Sequence, residues 1–138
     1  MRSLSSIGLG LLFMGLGLYA AAAVTPGAFP DAFDAQGRTT HSVALFVMLS
    51  VTLVTTAFAG WITARLAEDH LKGHALMMAT IGLACAVFMG AIRWAAAPTW
   101  YWGTSWALIP VAAAIGAAAW ERTLRRQRPA AARRIATT

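Results

Sequence analysis

The stretch TTHSVALFVMLSVTLVTTAFAGWITA, residues 39–64, contains no Asp, Glu, Lys or Arg. A helix rises 1.5 Å per residue, so roughly 20 apolar residues cross the ~30 Å hydrocarbon core of a bilayer. This run is long enough. Backbone in lipid must pair its N–H and C=O groups internally, which a helix does and an isolated strand does not. The regular alternation of a barrel strand is also missing. The stretch therefore reads as a transmembrane helix over about 42–64.

Three further charge-free windows flank it: Ser3–Pro30, Gly73–Ile92 and Trp94–Trp120. They predict helices at about 4–24, 74–95 and 102–121. The links are short and rich in breakers: Pro26, Gly27, Pro30 and Gly37 in the first, residues 67–73 in the second, Pro98 in the third. Short links favour antiparallel neighbours. The expected fold is an all-α, up-down bundle of four transmembrane helices over 1–121, followed by a basic tail, 122–138. Pro110 is expected to kink the fourth helix and release the Trp106 carbonyl.

Composition agrees. Of 138 residues, 59% are hydrophobic and 12% charged, half the ~25% of a typical soluble domain. Such a chain cannot cover a water-exposed globule with charge, and it is too apolar to remain disordered. One cysteine, Cys85, excludes an internal disulfide, a Cys-rich zinc site and an iron–sulfur cluster.

Charge and aromatic residues orient the bundle. Arg2, Arg65, Lys72 and the tail arginines 122, 125, 126, 128, 133 and 134 fall on one side, whereas Arg38 and Arg93 fall on the other. The positive-inside rule places both termini in the cytoplasm. Trp94, Trp100, Tyr101, Trp102 and Trp106 then gather at the outer surface, with Trp61 and Trp120 at the inner one. Indole and phenol rings favour these levels because the ring is apolar and its N–H or O–H seeks water.

The start of the chain has a second pattern. Arg2, an apolar run and Ala20–Ala23 resemble a secretory signal. Against this, Gly8 and Gly15 are spaced by seven, as are Gly10 and Gly17. Such spacing puts small residues on recurring helix faces, as close packing requires. A retained first helix is the expectation.

Several residues are candidates for chemistry. His70 and His74, four apart, would share a face of a continuous helix with Met78, and Glu68 and Asp69 lie near. Together they form a candidate metal site for copper or zinc. His41, at the outer start of the second helix, is a candidate cofactor ligand, with an interfacial or capping role as the alternative. It lies opposite the other two histidines, so it cannot clamp one haem with either of them. Arg93 ends a long uncharged run. It either snorkels outward or faces the bundle and holds an anionic group, with Asp31 and Asp34 as partners across the outer loops. Thr52, Thr56, Gly60 and Thr63 form a small, polar stripe suited to packing or to a transport pathway. No carboxylate lies at a membrane centre, which counts against an ion-coupled exporter. Neither a phosphate loop, a nucleophile–base set nor paired catalytic carboxylates is present. The basic tail beside a span finds acidic lipid headgroups nearer than nucleic acid.

Ala59-Gly60-Trp61-Ile62-Thr63-Ala64-Arg65-Leu66-Ala67, followed by His74-Ala75-Leu76 and Ile81-Gly82-Leu83, resembles small uncharacterised bacterial inner-membrane proteins with four helices. The resemblance implies a bacterial inner-membrane location and carries no activity. The functional expectation is a non-catalytic accessory or assembly subunit that packs against lipid and larger membrane partners, or against itself; its cofactors are unknown, and the sequence requires none. A small oligomeric transporter or channel and a cofactor-binding redox subunit are the alternatives.

Overall fold

A computed structural model of the chain describes residues 2–67 and 70–135, with side chains over 4–67 and 70–126. Glu68 and Asp69 lie outside the described residues, as do the side chains of Arg2, Arg128, Arg133 and Arg134. The main helices are α1 (Arg2–Ala28), α2 (Ser42–Leu66), α3 (Leu71–Ile92) and α4 (Thr99–Ile135), with short 3-10 turns at Pro30–Ala32 and Trp94–Ala96. No strand occurs among the described residues. All four helices are long and apolar enough to cross a membrane.

The four helices expected from the charge-free windows are present, and their ends shift for local reasons. Helix α1 continues through Pro26 to Ala28. Proline removes one N–H donor there, and the helix closes around it: Thr25 Oγ1 donates to the Ala21 carbonyl at 2.6 Å, and Phe29 N–H to the Thr25 carbonyl at 3.0 Å. Helix α3 starts at Leu71 instead of 74, because His70 takes a left-handed conformation (φ 49°) that turns the chain into it. Its end moves back from 95 to Ile92, where Arg93 N–H caps the Met89 carbonyl and a 3-10 turn follows. Helix α4 runs unbroken through Pro110 and on into the basic tail to Ile135, well past 121.

The packing follows an up-down path with an unequal arrangement. Gly10 meets Thr63 and Gly17 meets Thr55, so α1 and α2 are antiparallel. Parallel α2 and α4 make the closest pair, with Leu45 and Leu49 against Tyr101 near one end and Ala64 beside Ala117 near the other. Two glycines permit this approach. A Cβ at Gly60 would lie 2.8 Å from Ala113 Cα, and one at Gly116 would strike the Ala57 carbonyl oxygen. Helix α2 therefore occupies the centre, touching α1, α3 and α4, whereas α1 and α4 hardly meet. Helix α3 packs well on α4 and only lightly on α1. Around the bundle the order is α1, α2, α4, α3, and the weakest seam is the one between α3 and α1.

Candidate functional site

A cavity of about 560 Å³ lies at this weak seam. Its buried floor is formed by Met14, Gly82 and Ile109. Tyr19, Ala22, Cys85 and Met89, all exposed, form the rim on α1 and α3. Helices α2 and α4 close the back with Thr52, Tyr101 and Ser105. Two hydroxyls of the back wall are satisfied internally. Thr52 Oγ1 donates to the Met48 carbonyl at 2.8 Å and Ser105 Oγ to the Tyr101 carbonyl at 2.7 Å. The lining has one charge, Arg93, at the end of α3.

Arg93 sits in an aromatic tier. Trp94 and Trp106 lie 6.1 Å apart by ring centroid, Trp102 and Trp106 6.4 Å, and Tyr101 and Trp102 5.4 Å. Trp100 continues the tier between Tyr101 and Phe46. The Trp102 indole N–H donates to the Trp94 carbonyl at 3.2 Å, which fixes the 3-10 turn against α4. These are the aromatic residues grouped from sequence. At the opposite end Trp61 and Trp120 meet edge to face, and the Arg65 guanidinium lies 5.2 and 5.6 Å from their ring centres. Lys72 and Arg125 both pair with Glu121, at 3.0 and 2.8 Å, tying the start of α3 to α4.

Of the two readings of Arg93, the bridge to Asp31 or Asp34 does not form: no N···O distance within 4.0 Å joins them. Asp34 is committed to its own loop. Its Oδ1 accepts the Gln36 and Arg38 N–H groups at 2.9 and 2.8 Å around Gly37, whose φ is +71°. The two loops at this end are instead tied by backbone, Thr39 N–H to the Ala96 carbonyl at 3.0 Å.

His41 caps α2. Its Nδ1 accepts the Ala44 N–H at 3.5 Å, and its own N–H donates to Thr39 Oγ1. His70 precedes α3 and His74 lies within its first turns, so the two are not on one continuous helix face. A ring nitrogen of His74 points at the His70 carbonyl, 3.3 Å away. Among the described residues no three His, Cys, Asp or Glu side chains gather as a metal set.

Thr52, Thr56, Gly60 and Thr63 are all buried on the inward face of α2. Their hydroxyls return to the carbonyls four residues back, at 2.8, 2.7 and 2.9 Å for Thr52, Thr56 and Thr63. Thr52 reaches the cavity wall, and Thr63 lies under Gly10. The glycine rows on α1 divide in the same way. Gly10 and Gly17 are pressed on α2, whereas a Cβ at Gly8 or Gly15 would meet nothing within 4 Å.

Thr52, Arg93, Tyr101, Trp102 and Trp106 were singled out from sequence, but the cavity that brings them together was not. Small residues on α1 and α3 (Gly15, Ala22, Gly82 and Ala86) below one arginine were the available sign, and it is visible only once the two helices are known to be neighbours. No protein-family model matches the chain, and no curated protein or solved structure matches it.

Proposed function

We propose that this chain is a non-catalytic, multi-pass subunit of a bacterial inner membrane that assembles with a larger membrane complex or with itself through the outward face of α1. The observation that carries this reading is the unused glycine at position 8, on the outward face of α1. In lipid, helices gain no hydrophobic drive from meeting, so association depends on close van der Waals contact between small-residue faces. Glycine within a helix costs about 1 kcal/mol relative to alanine. At Gly10 and Gly17 that cost is offset by contact with α2, while a Cβ at Gly8 would meet nothing within 4 Å and Gly15 opens on the α1–α3 cavity. A helix from outside the chain supplies the missing contact. Exposed Leu4, Leu12 and Leu16 flank this face and give the partner apolar surface to cover.

The arginine distribution supports both termini being cytoplasmic. Arg65, Lys72 and Arg125 cluster near the Trp61–Trp120 pair, and Arg38 and Arg93 belong to the opposite end. The threonine stripe acts as packing in this reading, since its hydroxyls are already bonded to backbone.

Extraction of native membranes in mild detergent tests the proposal. The wild-type chain is expected to elute with a partner or as an oligomer, and Gly8→Leu is expected to elute alone with unchanged helicity. A wild-type chain that runs as a solitary monomer, or a Gly8→Leu chain still in its assembly, overturns it.

A further inference from the structure

We propose that the α1–α3 cavity binds an anionic glycerophospholipid from the surrounding bilayer, with one acyl chain between the helices and its phosphate at Arg93. The inference rests on the membrane reading above and is independent of the α1 partner.

The polar inventory of the cavity leads to this ligand. Thr52 and Ser105 have given their hydroxyl protons to backbone carbonyls. The guanidinium of Arg93 carries five N–H donors, and none of them has a carboxylate within 4.0 Å among the described residues. The site thus offers one cation above an apolar slot. Arg93 stands beside Trp94 and level with the Trp102 and Trp106 rings, the residues that favour the headgroup zone. Below it the slot descends along Met89, Cys85 and Gly82 toward Met14, into the depth where acyl chains run. Its exposed rim opens sideways between α1 and α3, so a lipid enters without crossing a polar barrier.

Size separates a lipid chain from a protein helix. A helix about 10 Å across would fill 560 Å³ within about 7 Å of its length, less than two turns. A single alkyl chain is thin enough to run the length of the slot. Charge then decides which lipid is held. The bilayer already solvates an alkyl chain as well as methionine and leucine do, so the walls give no preference among headgroups. One interfacial arginine does, by about fivefold for an anionic over a zwitterionic lipid.

The test is native mass spectrometry of the full chain, released from detergent containing equal phosphatidylglycerol and phosphatidylcholine of the same acyl composition. Wild type is expected to retain phosphatidylglycerol about fivefold over phosphatidylcholine. Arg93→Gln should bring the ratio near one. Arg65→Gln, at the other end, should leave it unchanged. Cys85→Phe, which fills the slot from its exposed wall, should lose both lipids while Trp fluorescence and helicity stay native. A wild-type ratio near one, an Arg93→Gln chain that keeps the preference, or undiminished lipid on Cys85→Phe overturns the site. Preferential retention of a neutral quinone, or a partner helix cross-linked through Cys85, overturns it as well. Release of the chain from membranes by alkaline carbonate would defeat the membrane reading along with it. A chain that stays in the membrane and shows no lipid preference defeats the site alone.

Discussion

Replacing Gly116 with alanine adds one methyl group at the tightest point of the molecule. That methyl would overlap the Ala57 carbonyl oxygen and lie 2.8 Å from the Ala57 carbonyl carbon and 2.9 Å from the Trp61 nitrogen. All three atoms are backbone, so no rotamer change relieves the contact. Carbon pairs are most favourable at about 3.5–4.0 Å, which requires α2 and α4 to part locally by roughly 1 Å or more. A gap of even about 0.5–1 Å forfeits a quarter to a half of each contact's attraction along the seam. Overpacking of this kind costs about 1–3 kcal/mol, and the better helix propensity of alanine returns about 1 kcal/mol. Because the clash is with backbone, the upper half of that range, about 2–3 kcal/mol, applies, and the net expectation is a loss of about 1–2 kcal/mol. Gly8→Ala supplies the control, because its methyl meets nothing within 4 Å. It should gain up to about 1 kcal/mol in the isolated chain from propensity alone. Reversible unfolding in mixed detergent micelles, followed by helicity, measures both. If Gly116→Ala proves as stable as wild type, or the two alanines behave alike, the glycine-mediated approach of α2 to α4 is wrong.

Three further outcomes follow from the same geometry. Asp34→Ala removes the acceptor for the Gln36 and Arg38 N–H groups, so hydrogen exchange at those two amides should accelerate at least tenfold while the global unfolding midpoint stays put. Unaltered exchange would show that Asp34 does not order the loop. Glu121→Gln should loosen the start of α3 at low ionic strength, read as faster proteolysis near Lys72, and the difference should vanish in 1 M salt, where exposed pairs are screened. Gly82→Ala meets the Met14 thioether, with its Sδ 2.6 Å away, in place of backbone. Met14 has the cavity beside it, so the variant should lose less than about 0.5 kcal/mol where Gly116→Ala loses more; an equal loss would mean the cavity gives Met14 no room.

Much of this architecture was legible in the chain because lipid imposes a coarse rule. A window without charge and long enough to span announces a helix, and the ranges around Leu45–Thr63 and Ala75–Gly90 follow. The details that escaped depend on local competition. Asp34 can act as a loop acceptor or as a partner of Arg93, and two nearby N–H groups settle it. Seven-residue spacing marks Gly8–Gly15 and Gly10–Gly17 alike; only the position of Thr55 and Thr63 tells which row is covered. His70 and His74 suggest one face until the left-handed turn at His70 is seen. The cavity is a property of the gap between α1 and α3, and no stretch of either helix encodes it alone.

Why the gap lies at the Arg93 end follows from side-chain size. Helix separation varies between about 8 and 10 Å with the residues at the contact. Near Trp61 the buried layer is Ala64, Ala75 and Ala117, three methyl groups, backed by Leu71 and Trp120. At the middle, Met14, Met78 and Ile109 surround Ala59, Ala79 and Ala113, a mixture of large and small. Toward Arg93 the layer becomes Leu45, Leu49 and Tyr101, backed by Met48 and Trp102. The wedge grows along α2 and α4, and those two helices remain joined because Gly60 and Gly116 hold them at the narrow half. Helix α1 follows α2 through Gly10 and Gly17, and α3 follows α4 where Gly90 receives Trp106 and Trp102. Each outer helix is thus attached to a different member of the central pair. As that pair's shared layer thickens, α1 and α3 are carried apart, and the space between them opens at the level of the one arginine that faces it.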